Sequence, residues 1–253
     1  MTIMKKQRYE IGRIDKTICP FGREDIVLDA GTGRGYLLAK LSYECRLVYA
    51  IDVNLDFLRQ IGRETEEYNV ALLQADVRKL PFRASCFHRI ICTEVLEHLR
   101  DPLAAVEEFY RTLELGGIGV IAVPTRSSEK VYSRLNRDYH RNEMEHVAIL
   151  EREQWISLFR KAGFEVLTTK KENFQPALYW ILRNLFPIKY DPSSGVILED
   201  RLSDRVFWFV MRAIDRITFG GFSRLGNRIF PKSWYFYLRK VGKDLRFRNR
   251  CSG

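Results

Sequence analysis

Residues 26–35, IVLDAGTGRG, decide the fold. The apolar run 26–31 reads as a short buried strand ending in a glycine turn, and residues 34–43 as a helix with Leu37, Leu38 and Leu41 on one face. The same unit repeats downstream. RLVYAID (46–52) is the next strand and 55–67 the next helix; ALLQAD (71–76) and HRIICT (88–93) are strands. A helix follows from Pro102 to Glu114, then the strand GGIGVIAVPT (116–125). These strands are continuously apolar and alternate with helices, the pattern of an α/β fold with a mostly parallel sheet and helices on both faces. Ligands of such sheets bind at the carboxyl ends of the strands, so the site is expected just after Asp29, Asp52, Asp76, Thr93 and Pro124.

Residues 126–150 read as a polar connector, too long for a plain turn. A helix over 151–162, with Trp155, Leu158, Phe159 and Ala162 on one face, is separated by Gly163 from the strand 164–171. From Glu172 onward the character changes. The segment 172–253 holds 15 Lys and Arg against 7 Asp and Glu, and half of the aromatic residues, so a separate basic, aromatic-rich helical extension is expected beyond a first domain of residues 1–171. Its helices are expected over 177–186, 201–218 and 232–246 by their 3–4 apolar spacing.

Almost half of the chain is apolar, enough for a large core and against global disorder. Five cysteines, an odd number with no C-x-x-C pair, argue against a disulfide framework or zinc knuckle and suit a reducing, cytoplasmic compartment. The basic start is not followed by an apolar run, so no secretory leader is expected, and the longest uncharged apolar run, Val206 to Met211, is too short to span a bilayer.

The glycines Gly31, Gly33 and Gly35 lie between a strand and a helix, where bare backbone lets a ligand approach and the helix N-terminus adds N–H donors. A dinucleotide fingerprint would need a third glycine where Tyr36 stands. Asp29, two residues before the first glycine, suits a ligand with an amino acid end, because a carboxylate can hold an ammonium. Asp52 closes the second strand and can accept both ribose hydroxyls of an adenosyl group or a nicotinamide dinucleotide. Asp76 can accept from an adenine amino group, with the Val77 N–H alongside.

Taken in order, VLDAGTGRG (27–35), YAIDVN (49–54), QADVRKLPF (74–82), FHRIICTEVLEHLRDP (87–102) and LELGGIGVIAVPT (113–125) resemble the successive motifs of class I, Rossmann-like S-adenosylmethionine-dependent methyltransferases. The segment 145–167 resembles the family's closing helix and strand. The resemblance covers roughly residues 20–170 and is nearest to the small-molecule and quinone-type O-methyltransferases. It implies a seven-stranded sheet and S-adenosylmethionine as cofactor. By resemblance, Asp29 and Gly31 hold the methionine end, Gly33 lets the cofactor approach and Asp52 takes the ribose. Val53 packs on adenine, Asp76 and Val77 read its edge, and Thr93 lines the sulfonium. One departure is Thr32, where many members have Cys.

EVLEHL (94–99) would put Glu94, Glu97 and His98 on one helical face. Some relatives use such a trio for a divalent metal, but the hexapeptide is also widespread in relatives without one, so a capping role is expected and no metal. His140 and His146, flanking the connector, are candidate general bases, set against the alternative of surface or cap histidines. The expected function is methyl transfer to a small-molecule or lipid-linked acceptor, at oxygen. The rivals are an RNA methyltransferase, suggested by the positive charge, and a catalytically silent module of the same fold. A base-amino methyltransferase tetrapeptide of the N-P-P-Y type is missing after the fourth strand. The basic amphipathic stretches at the C-terminus read equally as a substrate lid or as an element for an anionic membrane surface, peripheral on the inner face, and both can hold.

Overall fold

The computed structural model describes residues 14–63, 65, 67–135, 146–185, 190–191, 196–197 and 202–242. Its elements run β1 (Ile26–Ala30), α1 (Leu38–Glu44), β2 (Leu47–Asp52), α2 (Leu55–Gly62), β3 (Val70–Gln74) and β4 (Phe87–Thr93). After a 3-10 turn at Leu96–His98 come α3 (Pro102–Thr112), β5 (Leu113–Pro124), α4 (Arg126–Leu135), α5 (Arg152–Ala162) and β6 (Phe164–Glu172). The last part holds α6 (Phe174–Leu185), the short pair β7 (Tyr190–Asp191) and β8 (Val196–Ile197), α7 (Leu202–Ile217), α8 (Gly221–Ile229) and β9 (Ser233–Lys240).

The main sheet has seven strands in the order β3-β2-β1-β4-β5-β9-β6. Pairing is parallel through β5, and β9 runs antiparallel to both neighbours. Successive side chains of a strand point to opposite faces. Leu28 and Ala30 of β1 accordingly join a core with Phe109 of α3 and Trp155 and Phe159 of α5, whereas Val27 joins a second core with Leu38 and Leu41 of α1 and Ile61 of α2. Burial on both faces is why these strands read as unbroken apolar runs.

Helix boundaries follow local chemistry. Asn54 caps α2 by accepting from the N–H groups of Asp56 and Phe57, and Asp101 caps α3 ahead of Pro102 at the first turn. Gln154 Oε1 accepts from Glu151 N at the start of α5, and Gly163, at φ 109°, ends it in the left-handed conformation.

Three sequence expectations need correction. The connector over 126–150 contains α4, on which Ser128, Glu129 and Tyr132 are buried while Arg126, Ser127, Lys130 and Arg134 are exposed, so two of its polar residues face inward instead of marking a loop. EVLEHL is not a regular helix; only Leu96–His98 makes a 3-10 turn, and Glu94 sits at φ 56°. The stretch 232–246 is not a helix over residues 233–240, which form β9. Its run Trp234 to Leu238 is aromatic-rich, which favours a strand, and an apolar run this short cannot be assigned by periodicity alone.

β9 has a consequence for the cap. Ser233 pairs with both Pro124 of β5 and Glu172 of β6, so the chain leaves the sheet after β6 and returns to it in β9 at the same edge, the carboxyl end of the parallel strands. The helices α6–α8 are therefore an insertion rooted at the edge where ligands bind in such folds.

Candidate functional site

The glycine turn after β1 is held by backbone bonds: Gly31 N and Thr32 N both donate to Ile51 O at 2.9 Å. Gly31 has φ +76°, and a Cβ there would stand 2.3 Å from Val95 Cγ2, so the turn and the segment after β4 touch without room for a side chain. At Gly33 a Cβ would meet nothing within 4 Å: the loop faces open space. Gly33 N donates to Asp52 Oδ2 at 2.8 Å, and Asp52 Oδ1 accepts from Asn54 N at 2.8 Å, which holds the carboxylate at the end of β2 beside the glycine turn.

Asp29 is 3% exposed. Burial pushes its carboxyl up to about 6, the nearby Asp52 charge adds to this, and the Thr32 hydroxyl, donating to Asp29 Oδ2 at 2.7 Å, opposes it. Thr32 thus gives the buried acid a donor. A buried carboxylate that has, among the described residues, Thr32 as its bonded partner suits an incoming ammonium.

Val53, next to Asp52, is 63% exposed, as a residue awaiting a flat apolar partner would be. Asp76 is gripped by its neighbour: Arg78 Nε and Nη2 and the Arg78 N–H all donate to it, and these bonds hold its carboxyl below the usual range despite partial burial. An adenine amino group would share this carboxylate with Arg78. Val77 is buried, leaving its backbone as the group that could face a ligand. Thr93 is the last residue of β4, half-buried, paired in register with Ala122. The fold thus brings Asp29, Gly31, Gly33, Asp52, Val53 and Thr93 to the ends of β1, β2 and β4, with Asp76 and Val77 just after β3.

A polar cluster lies beside them. Glu94 accepts from Lys232 Nζ at 2.8 Å and from Ser233 Oγ at 2.7 Å. Burial opposes ionisation of Glu94, but the Lys232 ammonium and these bonds outweigh it and keep its carboxyl below the usual range. Glu97 behaves oppositely. Burial and the Glu94 charge push its carboxyl well up, and neither of its carboxylate oxygens has a hydrogen-bond partner among the described residues. The backbone N–H groups of Val147 and Ala148 donate to Glu97 O, which pins the segment entering α5 against the 3-10 turn. His146 is thereby set with its ring 4.8 Å from that of His98, and its Nδ1 is 2.7 Å from Glu129 Oε2 of α4.

Glu97, His98 and His146 each offer a ligand atom, all within 4.8 Å of one another, whereas Glu94 is engaged by Lys232 and Ser233. The trio expected on one helical face is thus split. The donor set of one carboxylate and two imidazoles suits a transition metal better than magnesium. His146 is at the site; His140 lies outside the described residues. Sequence reasoning missed Glu129, Lys232 and Ser233. Glu129 sits in S-S-E-K of the supposed connector, and Lys232 and Ser233 in a supposed helix.

An open Rossmann-like sheet with an antiparallel seventh strand, a glycine turn after β1 and carboxylates at the ends of β1 and β2 defines the class I methyltransferase architecture. The sequence pattern of the methyltransferase domain matches residues 5–169, and the chain belongs to that family. It is 25% identical over 153 residues to 2-methyl-6-phytyl-1,4-hydroquinone methyltransferase 2, chloroplastic, of Oryza sativa subsp. japonica, an alignment covering 60% of this chain and 42% of that protein. It is 30% identical over 109 residues to the ubiquinone biosynthesis O-methyltransferase of Psychrobacter cryohalolentis, covering 40% and 41%. The chain thus spans less than half the length of these two relatives. The fold is similar to that of geranyl diphosphate methyltransferase in complex with S-adenosylmethionine, at TM-score 0.59 and 16% identity over 88% of this chain and 81% of that one.

Proposed function

We propose that this protein transfers the methyl group of S-adenosylmethionine to a hydroxyl oxygen of a small apolar acceptor of the quinol type, free or lipid-linked. The observation that carries the reading is the His146–Glu129 pair, a half-buried imidazole oriented by a buried carboxylate beside the end of β4. Two relatives named for hydroquinone and ubiquinone methylation support the acceptor class.

When bound, S-adenosylmethionine supplies an electrophilic methyl group on a sulfonium. Asp29 and Gly31 would hold its methionine end, Gly33 would let it approach, Asp52 would hold the ribose hydroxyls, Val53 would pack on adenine, Asp76 and Val77 would meet the adenine edge, and Thr93 would line the sulfonium. His146 receives the acceptor's hydroxyl proton while Nδ1 stays on Glu129; a positioned base contributes about 10²–10⁴ in rate. Alignment of acceptor and methyl group contributes about 7–11 kcal/mol in favourable cases. In this reading α6–α8 cap the acceptor, residues 1–171 carry the cofactor on a sheet that β9 completes, and the protein works in the cytoplasm. The cysteines Cys19, Cys45, Cys86 and Cys92 are free thiols, which suits that compartment.

The test is methyl transfer from labelled cofactor to a panel of hydroquinones and catechols, with RNA in parallel. Label on the phenols and none on RNA is the expected result. Label on RNA alone would make this an RNA methyltransferase, and cofactor binding without transfer to any fraction of a lysate would make it a silent module.

A second reading adds a metal. The unpartnered buried Glu97 carboxylate beside His98 and His146 fits a divalent transition ion, with Glu129 as the carboxylate that orients the His146 ring. Such an ion would acidify a bound hydroxyl. Elemental analysis of purified protein and activity after chelation decide it: metal at one equivalent and loss of activity restored by zinc or manganese favour this reading, and chelator-resistant turnover of metal-free protein retires it.

A further inference from the structure

The helices α7 and α8 present apolar side chains to solvent. On α7, Val206, Phe209, Val210 and Ile217 recur at helical spacing along one side, with Phe209 69% and Ile217 77% exposed. The turn between the helices carries Phe219 at its tip, 88% exposed, and α8 continues the surface with Leu225 and Ile229, the latter 74% exposed. The opposite sides of these helices are used within the fold. Met211 is buried, Asp215 accepts from Gln175 and from Ser223, and Gly226 lies against the Phe174 ring. The exposed apolar side is therefore not a helix turned the wrong way; the inner sides are already satisfied.

Cations border this surface. Arg212 and Arg216 lie along α7 beside the apolar stripe, and Arg224 and Arg228 do the same on α8, all four exposed. Over residues 206–230 the sole acidic residue is Asp215, and it is half-buried and bonded inward. An apolar strip bordered, over the described residues 206–230, by these arginines matches a phospholipid surface, whose acyl boundary takes Phe and Ile and whose anionic headgroups take arginine. A second copy of this chain would bring the same positive rim against itself. No helix among the described residues is long and apolar enough to cross a membrane, so the contact would lie along the surface.

We infer that α7, the Phe219 turn and α8 form a docking surface for an anionic phospholipid bilayer. Because α6–α8 leave and rejoin the sheet at its carboxyl edge, docking sets that edge, with the glycine turn and the His146 cluster, on the side of the protein tied to the membrane. The inference does not depend on which acceptor is methylated.

The experiment uses the full chain and vesicles of phosphatidylcholine, with or without phosphatidylglycerol as about a third of the lipid. Co-sedimentation is measured at low and high salt for the natural chain, for Ile217→Asp with Phe219→Asp, and for Arg216→Glu with Arg228→Glu. Binding to the anionic vesicles at least tenfold above the neutral ones, weakened by salt and reduced at least tenfold in both variants, is the expected result. All four substituted positions are exposed, so calorimetry with S-adenosylmethionine should read the same in all three proteins, and a melting curve shows that the variants fold. A natural chain that stays in the supernatant with anionic vesicles at low salt overturns the inference, as do folded variants that sediment like the natural chain. Light scattering that finds a dimer broken by Ile217→Asp with Phe219→Asp, without vesicle binding, overturns it in favour of self-association.

Discussion

His146 Nδ1 lies 2.7 Å from Glu129 Oε2, and the two residues come from segments placed independently. Glu129 is fixed because Thr125 and Ser128 bond to each other and to Lys232 O, which anchors the first turn of α4 to the start of β9. His146 is fixed because the next two residues donate to Glu97 O. A buried carboxylate on one nitrogen orients the imidazole, and in the proposed mechanism the acceptor's proton passes to the other nitrogen.

Replacing His146 by Gln should therefore lower kcat by about 10²–10⁴ while leaving the dissociation constant of S-adenosylmethionine within about twofold. Glu129→Gln keeps the size and a hydrogen bond but loses the charge, and should give a smaller fall in kcat. Steady-state rates and cofactor calorimetry check both. A His146→Gln enzyme with unchanged kcat would remove the base from the mechanism.

In the proposed reading, in which Asp29 meets the cofactor's ammonium, cofactor affinity depends on pH. In the free protein its carboxyl titrates at about 6 against 3.8 for an ordinary aspartate. Below 3.8 the group is protonated in both folded and unfolded chains and costs nothing. Between 3.8 and about 6 the unfolded chain is ionised while the folded one stays protonated, so stability falls across that window and levels off above it, about 3 kcal/mol lower at neutral pH. An ammonium bound at Asp29 removes that penalty. Cofactor affinity should then fall about tenfold per pH unit below 6, and binding near pH 5.5 should release a proton, seen by calorimetry in buffers of different ionisation enthalpy. Asp29→Asn should bind weakly at every pH with a flat profile; a natural chain with the same flat profile would show that Asp29 does not meet the ammonium.

Asp52→Ala should cost about 1.5–3 kcal/mol in cofactor binding, roughly ten- to hundredfold in Kd, because a charged acceptor for the ribose is lost. The same change leaves Gly33 N and Asn54 N without their acceptor, so the glycine turn loosens as well. Calorimetry with S-adenosylmethionine and with adenine alone separates the two effects: a weaker Kd for the whole cofactor and an unchanged one for adenine is the expected pair.

The parallel half of the fold was legible because burial on both sheet faces leaves apolar runs and each strand ends in its own punctuation, Gly31 after β1 and Asp52 at the end of β2. The positions of Asp29 and Asp52 toward the carboxyl ends of β1 and β2 were legible for the same reason. β9 was not, because an interior antiparallel strand flanked by β5 and β6 buries both faces, and Trp234, Tyr237 and Leu238 then also satisfy a helical spacing. Nor was α4, whose Ser128 and Glu129 are polar yet buried against Lys232, 104 residues away, and His146, 17 residues away. Polarity on a buried face reads as a loop until the distant partner is known.

Gly226 gives a prediction whose sign separates local propensity from packing. It lies inside α8, where alanine in place of glycine ordinarily stabilises a helix by about 1 kcal/mol. Here a Cβ would stand 2.0 Å from Cδ1 and 2.2 Å from Cγ of Phe174, a ring that also packs edge-on against Phe222 at 5.4 Å. Phe174 N is in turn bonded to Asn227 Oδ1 at 2.9 Å, so the ring cannot withdraw without disturbing the start of α6. Gly226→Ala should therefore destabilise the protein by about 1–3 kcal/mol, the usual cost of overpacking, and urea unfolding measures it. Phe174→Leu should relieve part of the clash, so that the double variant is more stable than the sum of the two single changes predicts. A Gly226→Ala protein more stable than the natural chain would show that α8 does not seat on Phe174.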